Sequence, residues 1–259
     1  MSDRAANGAY VLDHVAVAVA DVRDVPSLVV GQLGGRPLAA GLGNEFSWWQ
    51  WEFARGGVLE VLEPEGPPGG FVERFLRARG PGIHHVTFKV PDLAMAAAKA
   101  RSQGYEIVGY NDAQPSWKEC FFHPRQALGT VVQLAESHPE LEPEGLHDFA
   151  FPDAPTEAPQ PVDVLGVRLS ARSAERALHQ WGAVLGGRCS ETASGLCFHW
   201  PDSPLRMFIE IDATAPEGPL ALELAAAGPK IPLGVPDPVL GTPLVLGAAE
   251  AEPTRLTSK

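Results

Sequence analysis

The feature that most constrains this chain is an internal repeat. Leu12-Asp13-His14-Val15-Ala16-Val17-Ala18-Val19-Ala20-Asp21-Val22 is echoed by Ile83-His84-His85-Val86-Thr87-Phe88-Lys89-Val90-Pro91-Asp92-Leu93, so that His85 stands in register with His14, 71 residues earlier. An apolar, β-branched run of this kind reads as a strand, and its recurrence means that one supersecondary unit is built at least twice. In the second copy the strand stops at Pro91-Asp92. Leu93 to Arg101 follows, rich in helix formers and ended by Gly104. Strands are predicted at Tyr105 to Tyr110, Lys118 to Phe122 and Thr130 to Ala135, which gives the order β-α-β-β-β. The first copy repeats this order with a weaker helix over Asp24 to Leu33, which contains Pro26. Its strands are predicted near Arg36 to Ala40, Phe46 to Phe53 and Val58 to Leu62.

The segment Ser137 to Val162 is proline-rich, acidic and without periodicity, and reads as a connector. A third copy follows. Val164 to Ser170 is strand-like, and Ser173 to Leu185 reads as a helix with Ser173 as N-cap and Gly186-Gly187 as its stop. Leu196 to Trp200 and Arg206 to Asp212 read as strands. At the place of His14 and His85 this copy has Gly166, so His199, Glu210 and Glu223 are read as structural. One more apolar run, Pro219 to Ala227, lies in a Pro/Gly-rich remainder. The expected organisation is α+β, with two modules in 1–137, a linker at 138–161 and a degenerate third module plus tail in 162–259. A single module leaves a sheet edge and an apolar face uncovered. Its completion is expected from the C-terminal remnant or from a second subunit, hence a homodimer.

Composition narrows the partners. A formal net charge of −12 over 259 residues argues against nucleic acid and anionic membrane, though a local cationic cluster still suits a small anion. No apolar run approaches the ~20 residues that span a bilayer. Met1 to Tyr10 lacks the apolar core of a signal peptide. Cys120, Cys189 and Cys197 are too scattered for a disulfide framework or a CxxC metal motif, as expected of reduced thiols in a cytoplasmic protein.

The chemistry is carried by the last strand of each copy. Val58-Leu59-Glu60-Val61-Leu62 and Val131-Val132-Gln133-Leu134-Ala135 are both apolar strands interrupted by one acid or amide, 46 and 48 residues after the respective histidine. A carboxylate on such a strand is costly unless it is paired, and metal coordination is one way to satisfy it. His14, Glu60, His85 and Gln133 form a mixed N/O set suited to one divalent ion among Co, Ni, Mn, Zn and Fe(II). His84 precedes a ligand and is expected to face the other side of its strand. Trp49, Trp51, His123 and Arg125 are the expected substrate contacts. The Trp48, Trp49 and Trp51 stripe is otherwise simply core.

In order along the chain, Leu12 to Val19, Leu59-Glu60-Val61-Leu62-Glu63-Pro64, Gly82 to Val90, and Phe122-His123-Pro124-Arg125 leading to Gly129 resemble the vicinal-oxygen-chelate superfamily, and within it methylmalonyl-CoA epimerase. The resemblance covers residues 10 to 137. It implies paired β-α-β-β-β modules forming a half-open barrel around a divalent metal. It also implies an isomerase that works at the α-carbon of an acyl-CoA-like substrate through an enolate. One departure stands out. The epimerases place glutamine in the first module and glutamate in the second, whereas here Glu60 comes first and Gln133 second. Since an amide does not carry the proton, Glu60 is the expected base, with Glu45 as a further acid/base. The alternatives are another reaction of this superfamily (lyase, hydrolase or extradiol dioxygenase) and a protein that binds a small molecule without catalysis.

Overall fold

In the computed structural model the repeat becomes two halves of one open sheet. Residues 9–142, 149–226 and 231–247 are described. The expectations for Met1 to Gly8, for part of the connector (143–148) and for Ala227 lie outside them. The first copy supplies β1 (Val11–Ala18), α1 (Val25–Val29), β2 (Arg36–Leu42), β3 (Phe46–Glu52) and β4 (Val58–Pro64). After α2 (Phe71–Arg79), the second copy supplies β5 (Gly82–Lys89), α3 (Leu93–Ser102), β6 (Ile107–Asn111), β7 (Trp117–Phe122) and β8 (Val131–Ser137). The sheet order is β2-β3-β4-β1-β5-β8-β7-β6, symmetric about the antiparallel β1–β5 pair.

Local chemistry explains these elements. Asp92 caps α3 by accepting from the Met95 N–H at 2.8 Å, a hydrogen bond worth ~1 kcal/mol. The run Leu93, Ala96, Ala97 and Ala100 gives α3 a buried stripe. Pro26 occupies the first turn of α1, where its missing N–H is harmless, and α1 is only five residues long. The helix α2 was not expected from the sequence. It starts after Gly70, ends at Gly80, and lays Phe71, Val72, Phe75 and Leu76 on a small cluster with Ala16, Ala18 and Leu62.

The third copy builds β9 (Val164–Ala171), α4 (Ala174–Ala177), a π-helical segment Leu178–Val184, β10 (Arg188–Thr192), β11 (Gly195–His199) and β12 (Arg206–Ile211). The single α-helix expected over Ser173 to Leu185 is thus mostly π-helical. Ser173 does cap it, accepting from the Arg176 N–H, and the wider turn buries Gln180 and Trp181 together. The remnant then completes the sheet. β13 (Gly218–Leu224) pairs antiparallel with β9, and β14 (Leu244–Leu246) pairs parallel with β13. The order β10-β11-β12-β9-β13-β14 is the plan of the first sheet without its last two strands. The side of β9 that a second subunit could have covered is filled by β13.

One hydrophobic core joins the two sheets. Phe88 meets Trp200 edge-on at 4.9 Å and lies 6.4 Å from Trp181, and the Trp200 indole N–H donates to Leu185 O at 2.8 Å. Burying each such ring contributes roughly 1.5–3 kcal/mol. At the junction Gly129 has φ +74, and a Cβ there would lie 2.2 Å from Glu217 O, so only glycine fits. The connector packs on the first sheet through Phe149, Ala150 and Phe151, with the Trp49 indole donating to Ala150 O and Trp51 against Phe151. None of the three cysteines is in a disulfide, and burial pushes Cys120 up to about 12. No described helix is long and apolar enough to cross a membrane.

Candidate metal centre

Strand pairing alone brings the polar residues of the repeat together. On β1, Ala16 pairs with Glu60 of β4 on one side and His85 of β5 on the other. On β5, Thr87 pairs with His14 of β1 on one side and Gln133 of β8 on the other. Residues paired across strands share a face, so all four expected ligands lie on the face away from the main core, separated by two small side chains. The halves correspond residue for residue: His14 to His85, Ala16 to Thr87, Glu60 to Gln133.

The nitrogens and oxygen of His14, Glu60 and His85 lie within 4.8 Å of one another, and all three residues are buried. Glu60 Oε1 is 3.5 Å from His14 Nε2 and 3.8 Å from His85 Nε2. Both Nε2 atoms are buried without a hydrogen-bond partner. Buried polar nitrogens are normally paired, so two orphans aimed at one carboxylate fit a cation held between them. The arrangement is a candidate three-residue site for a divalent ion, and Gln133 is 6 % exposed at its edge.

Surrounding groups orient each member. His14 Nδ1 lies 2.9 Å from Asp13 Oδ2, and Asp13 is also bridged by Lys89 at 3.1 Å. His85 Nδ1 lies 2.8 Å from His84 Nδ1. Gln50 donates to Glu60 Oε2 at 2.8 Å, which leaves Oε1 towards the histidines. Gln133 donates to Glu119 Oε2 at 2.6 Å, while its Oε1 accepts from the Thr87 hydroxyl at 2.5 Å. Each half thus pairs one amide with one carboxylate, and the two halves exchange which of them stands on the inner strand.

Electrostatics separates the two histidines. Burial opposes a charge on His14, but Glu60 and Asp13 overcome it and raise the imidazole to about 9. Burial, then the neighbouring His84 and His14, hold His85 well below the usual histidine range. Burial also lowers His84 to about 4. Burial opposes ionisation of Asp13 too, yet its bonds to His14 and Lys89 lower it to about 2.

The other expected site residues lie elsewhere. Trp49 and Trp51 are 4 % and 1 % exposed and pair with Val61 and Leu59, not with the Glu60 register. They are corrected to core residues, because side chains alternate along β3 and the connector covers that face. Gln50 and Trp48, on the other parity, face the Glu60 side. Glu45 is exposed in the β2–β3 turn, and no hydrogen bond or ion pair among the described residues links it to the triad. His123 lies in the turn after β7, where its Nδ1 accepts from the Arg125 N–H, and Arg125 is exposed. His84, expected on the opposite side of β5, instead packs beside Phe71 and Phe75 of α2 and lies against His85, because the register shift between Ala16 and Val17 interrupts the strand's alternation there. In the third copy Glu210 and Glu223 hold Arg168, as their structural reading requires.

Sequence reasoning missed Glu119, Asp13 and α2. Glu119 shares the parity of Phe121, which pairs with Gln133, so alternation along β7 was a usable signal. The signal for α2 was the spacing Phe71, Val72, Phe75, Leu76 between two glycines.

Several known proteins are similar to about half of the chain. The uncharacterized protein YqjC of Bacillus subtilis (strain 168) is 29% identical over 131 residues, which is 48% of this chain and 91% of YqjC. Among solved structures, hypothetical protein BH1468 from Bacillus halodurans C-125 is similar at a TM-score of 0.47 and 24% identity, covering 52% of this chain and 99% of that one. Methylmalonyl-CoA epimerase from Mycobacterium tuberculosis is similar at 0.46 and 24%, covering 54% and 95%. The family model for the glyoxalase/bleomycin resistance protein/dioxygenase superfamily matches residues 13–121. The segment that carries His14, Glu60 and His85 is thus the part of the chain that matches the glyoxalase/bleomycin resistance protein/dioxygenase superfamily model.

Proposed function

We propose that His14, Glu60 and His85, with Gln133 as fourth ligand through Oε1, hold one divalent metal ion, and that the protein is a metal-dependent isomerase acting at the α-carbon of an acyl-CoA-like substrate. The observation that carries the metal reading is the pair of orphaned, buried Nε2 atoms facing Glu60 Oε1. The isomerase reading is supported by the ordered motifs of the two repeats. Co, Ni, Mn, Zn and Fe(II) all suit this N/O set. A bound ion acts as a Lewis acid on the substrate oxygen beside the reacting carbon.

The chain's own residues do the rest. Asp13 and His84 hold the two imidazoles through Nδ1 and leave Nε2 free. Gln50 holds Glu60. Glu119 holds the Gln133 amide with its oxygen inward. Glu60 is committed at both oxygens, and Glu45 has no bond to the triad, so the proton-transfer role expected of these two falls to Glu119. Its Oε2 accepts from Gln133 and from the Trp117 indole at 3.1 Å, while Oε1 makes no hydrogen bond among the described residues. A half-buried carboxylate with one free oxygen is equipped to take and return a proton. The test is α-proton exchange into deuterated water, followed on propionyl-CoA and methylmalonyl-CoA with Co-loaded protein. Exchange that Glu119→Gln abolishes, with metal still bound, is expected. Loaded protein that exchanges no acyl-CoA α-proton sinks the isomerase reading and leaves the metal reading to elemental analysis.

A further inference from the structure

The two halves of the first sheet differ in what covers the metal face. In the first half α2 lies on it, with Val72 and Phe75 packed on the cluster of Ala16, Ala18 and Leu62. In the second half α3 packs on the other face, where Leu93, Ala96, Ala97 and Ala100 join the main core. Three apolar side chains are left on the metal side. Val131 pairs with His85, Phe121 with Gln133, and Val108 with Phe121, so all three share the face of the proposed ligands. Each is half-buried, and neither hydrophobic cluster contains them.

Apolar side chains that the core does not use, set beside polar groups that converge, mark a place for a ligand. Phe121 is the centre of this wall. Its ring meets the His85 ring edge-on, with 6.4 Å between centroids. It also lies against the backbone of Gly109, where a Cβ would stand 3.1 Å from Phe121 Cδ2. Gly109 has φ +59, a conformation that favours glycine and keeps room for the ring. Glu119 stands on the same face, two residues before Phe121 on β7. Of the residues that β6, β7 and β8 place on this face, none is a lysine or arginine. Lys118 has the other parity and bonds Glu136 beside α3.

We infer that this wall receives an apolar substituent on the reacting carbon, so that the substrate, given the isomerase reading on which this rests, is a neutral acyl thioester with an alkyl or aryl branch beside its carbonyl. The wall adjoins the proposed ligands His85 and Gln133 and the proposed acid/base Glu119, and so borders the carbon that loses the proton. Each methyl group buried there tightens binding about fourfold. A carboxylate in the same place would meet Glu119 with no tethered cation beside it, which disfavours a malonyl-type substrate.

The test is titration calorimetry of the Co-loaded protein with acetyl-CoA and with two acyl-CoAs that have no α-proton, pivaloyl-CoA and dimethylmalonyl-CoA. Pivaloyl-CoA should bind at least about tenfold more tightly than acetyl-CoA. It should also bind more tightly than dimethylmalonyl-CoA, in which a carboxylate replaces one methyl. Phe121→Ala should cut the pivaloyl advantage to about threefold or less, with acetyl-CoA affinity and Co content unchanged. Val108→Thr keeps the side-chain shape and should lower the same advantage about twofold or more, which keeps the test open if the Phe121 variant does not fold. Equal affinities for pivaloyl-CoA and acetyl-CoA overturn the inference. So does a preference for dimethylmalonyl-CoA, or a pivaloyl advantage that survives both substitutions. Deuterium exchange decides the isomerase reading separately. Phe121-dependent pivaloyl binding without any exchange keeps the wall and loses the isomerase, and exchange without that dependence does the reverse.

Discussion

The two sheets follow one plan and reach opposite solutions at its centre. In the first, Ala16 stands between Glu60 and His85. In the second, the corresponding residue is Arg168, between Phe208 and Ala221, with Gly166 in the place of His14. The Arg168 guanidinium donates to Glu223 at 2.7 and 3.0 Å and to Glu210 at 3.0 Å, and lies over the Phe208 ring at 4.8 Å. Arg206 donates to the other oxygen of Glu223. Both sheets bury a carboxylate on the same face. One completes it with a tethered cation, and the other leaves two imidazole nitrogens and a small residue around a candidate site for a divalent ion. A buried carboxylate demands positive charge, and where that charge comes from separates a structural face from a chemical one.

The largest expected effect tests the tethered side. Glu223→Ala removes three hydrogen bonds from two guanidinium groups and should lower unfolding free energy by about 3–5 kcal/mol in urea titration. Glu60→Ala in metal-free protein should cost less, about 1 kcal/mol, since the one buried cation it faces, the His14 imidazolium, keeps Asp13 as a partner and can shed its proton, as a guanidinium cannot. Equal costs would erase the contrast.

The next effect probes the first sheet. A divalent ion at one hundred times its Kd should add about 2.7 kcal/mol, a rise in Tm of roughly 5–10 °C by calorimetry. The rise should vanish in His14→Ala/His85→Ala. A rise that persists there places the ion elsewhere. Glu119→Leu should weaken metal binding about 10–100-fold by titration calorimetry, because the Gln133 amide is no longer held with its oxygen inward. Unchanged affinity would remove Gln133 from the ligand set.

The smallest effect concerns a carboxylate that neither solution involves. Glu136 at the end of β8 accepts from the Leu93 N–H, Lys118 and His138, and these bonds, against a desolvation that opposes them, lower it to about 2. A lowered carboxylate contributes stability above its unfolded value near 4.5, and that contribution is lost as pH falls towards about 2. Glu136→Gln should therefore flatten the acid decline of Tm between those values. A decline as steep as wild type would assign it to other groups.

Much of this was legible in the chain. The histidine register and the interrupted last strands placed His14, Glu60, His85 and Gln133 on one face, because strand alternation is rigid and pairing repeats. The same alternation puts Trp49 and Trp51 into the core, but its parity is readable only once Glu60 is known to pair with Gln50. The connector that covers those rings is a tertiary event with no periodic signal. The π-helical turn was hidden for a similar reason: its residues are ordinary helix formers, and the burial of Gln180 and Trp181 together sets the wider turn.

Gly166 carries a consequence for redesign. Its φ is +133, and a Cβ there would lie 2.0 Å from Arg206 O. Histidine cannot be placed there by substitution alone, because the main chain of β9 follows a path open only to glycine. Grafting the ligand set of the first sheet onto the second would mean rebuilding this strand as well as the side chain, and displacing the Arg168 network from the same face.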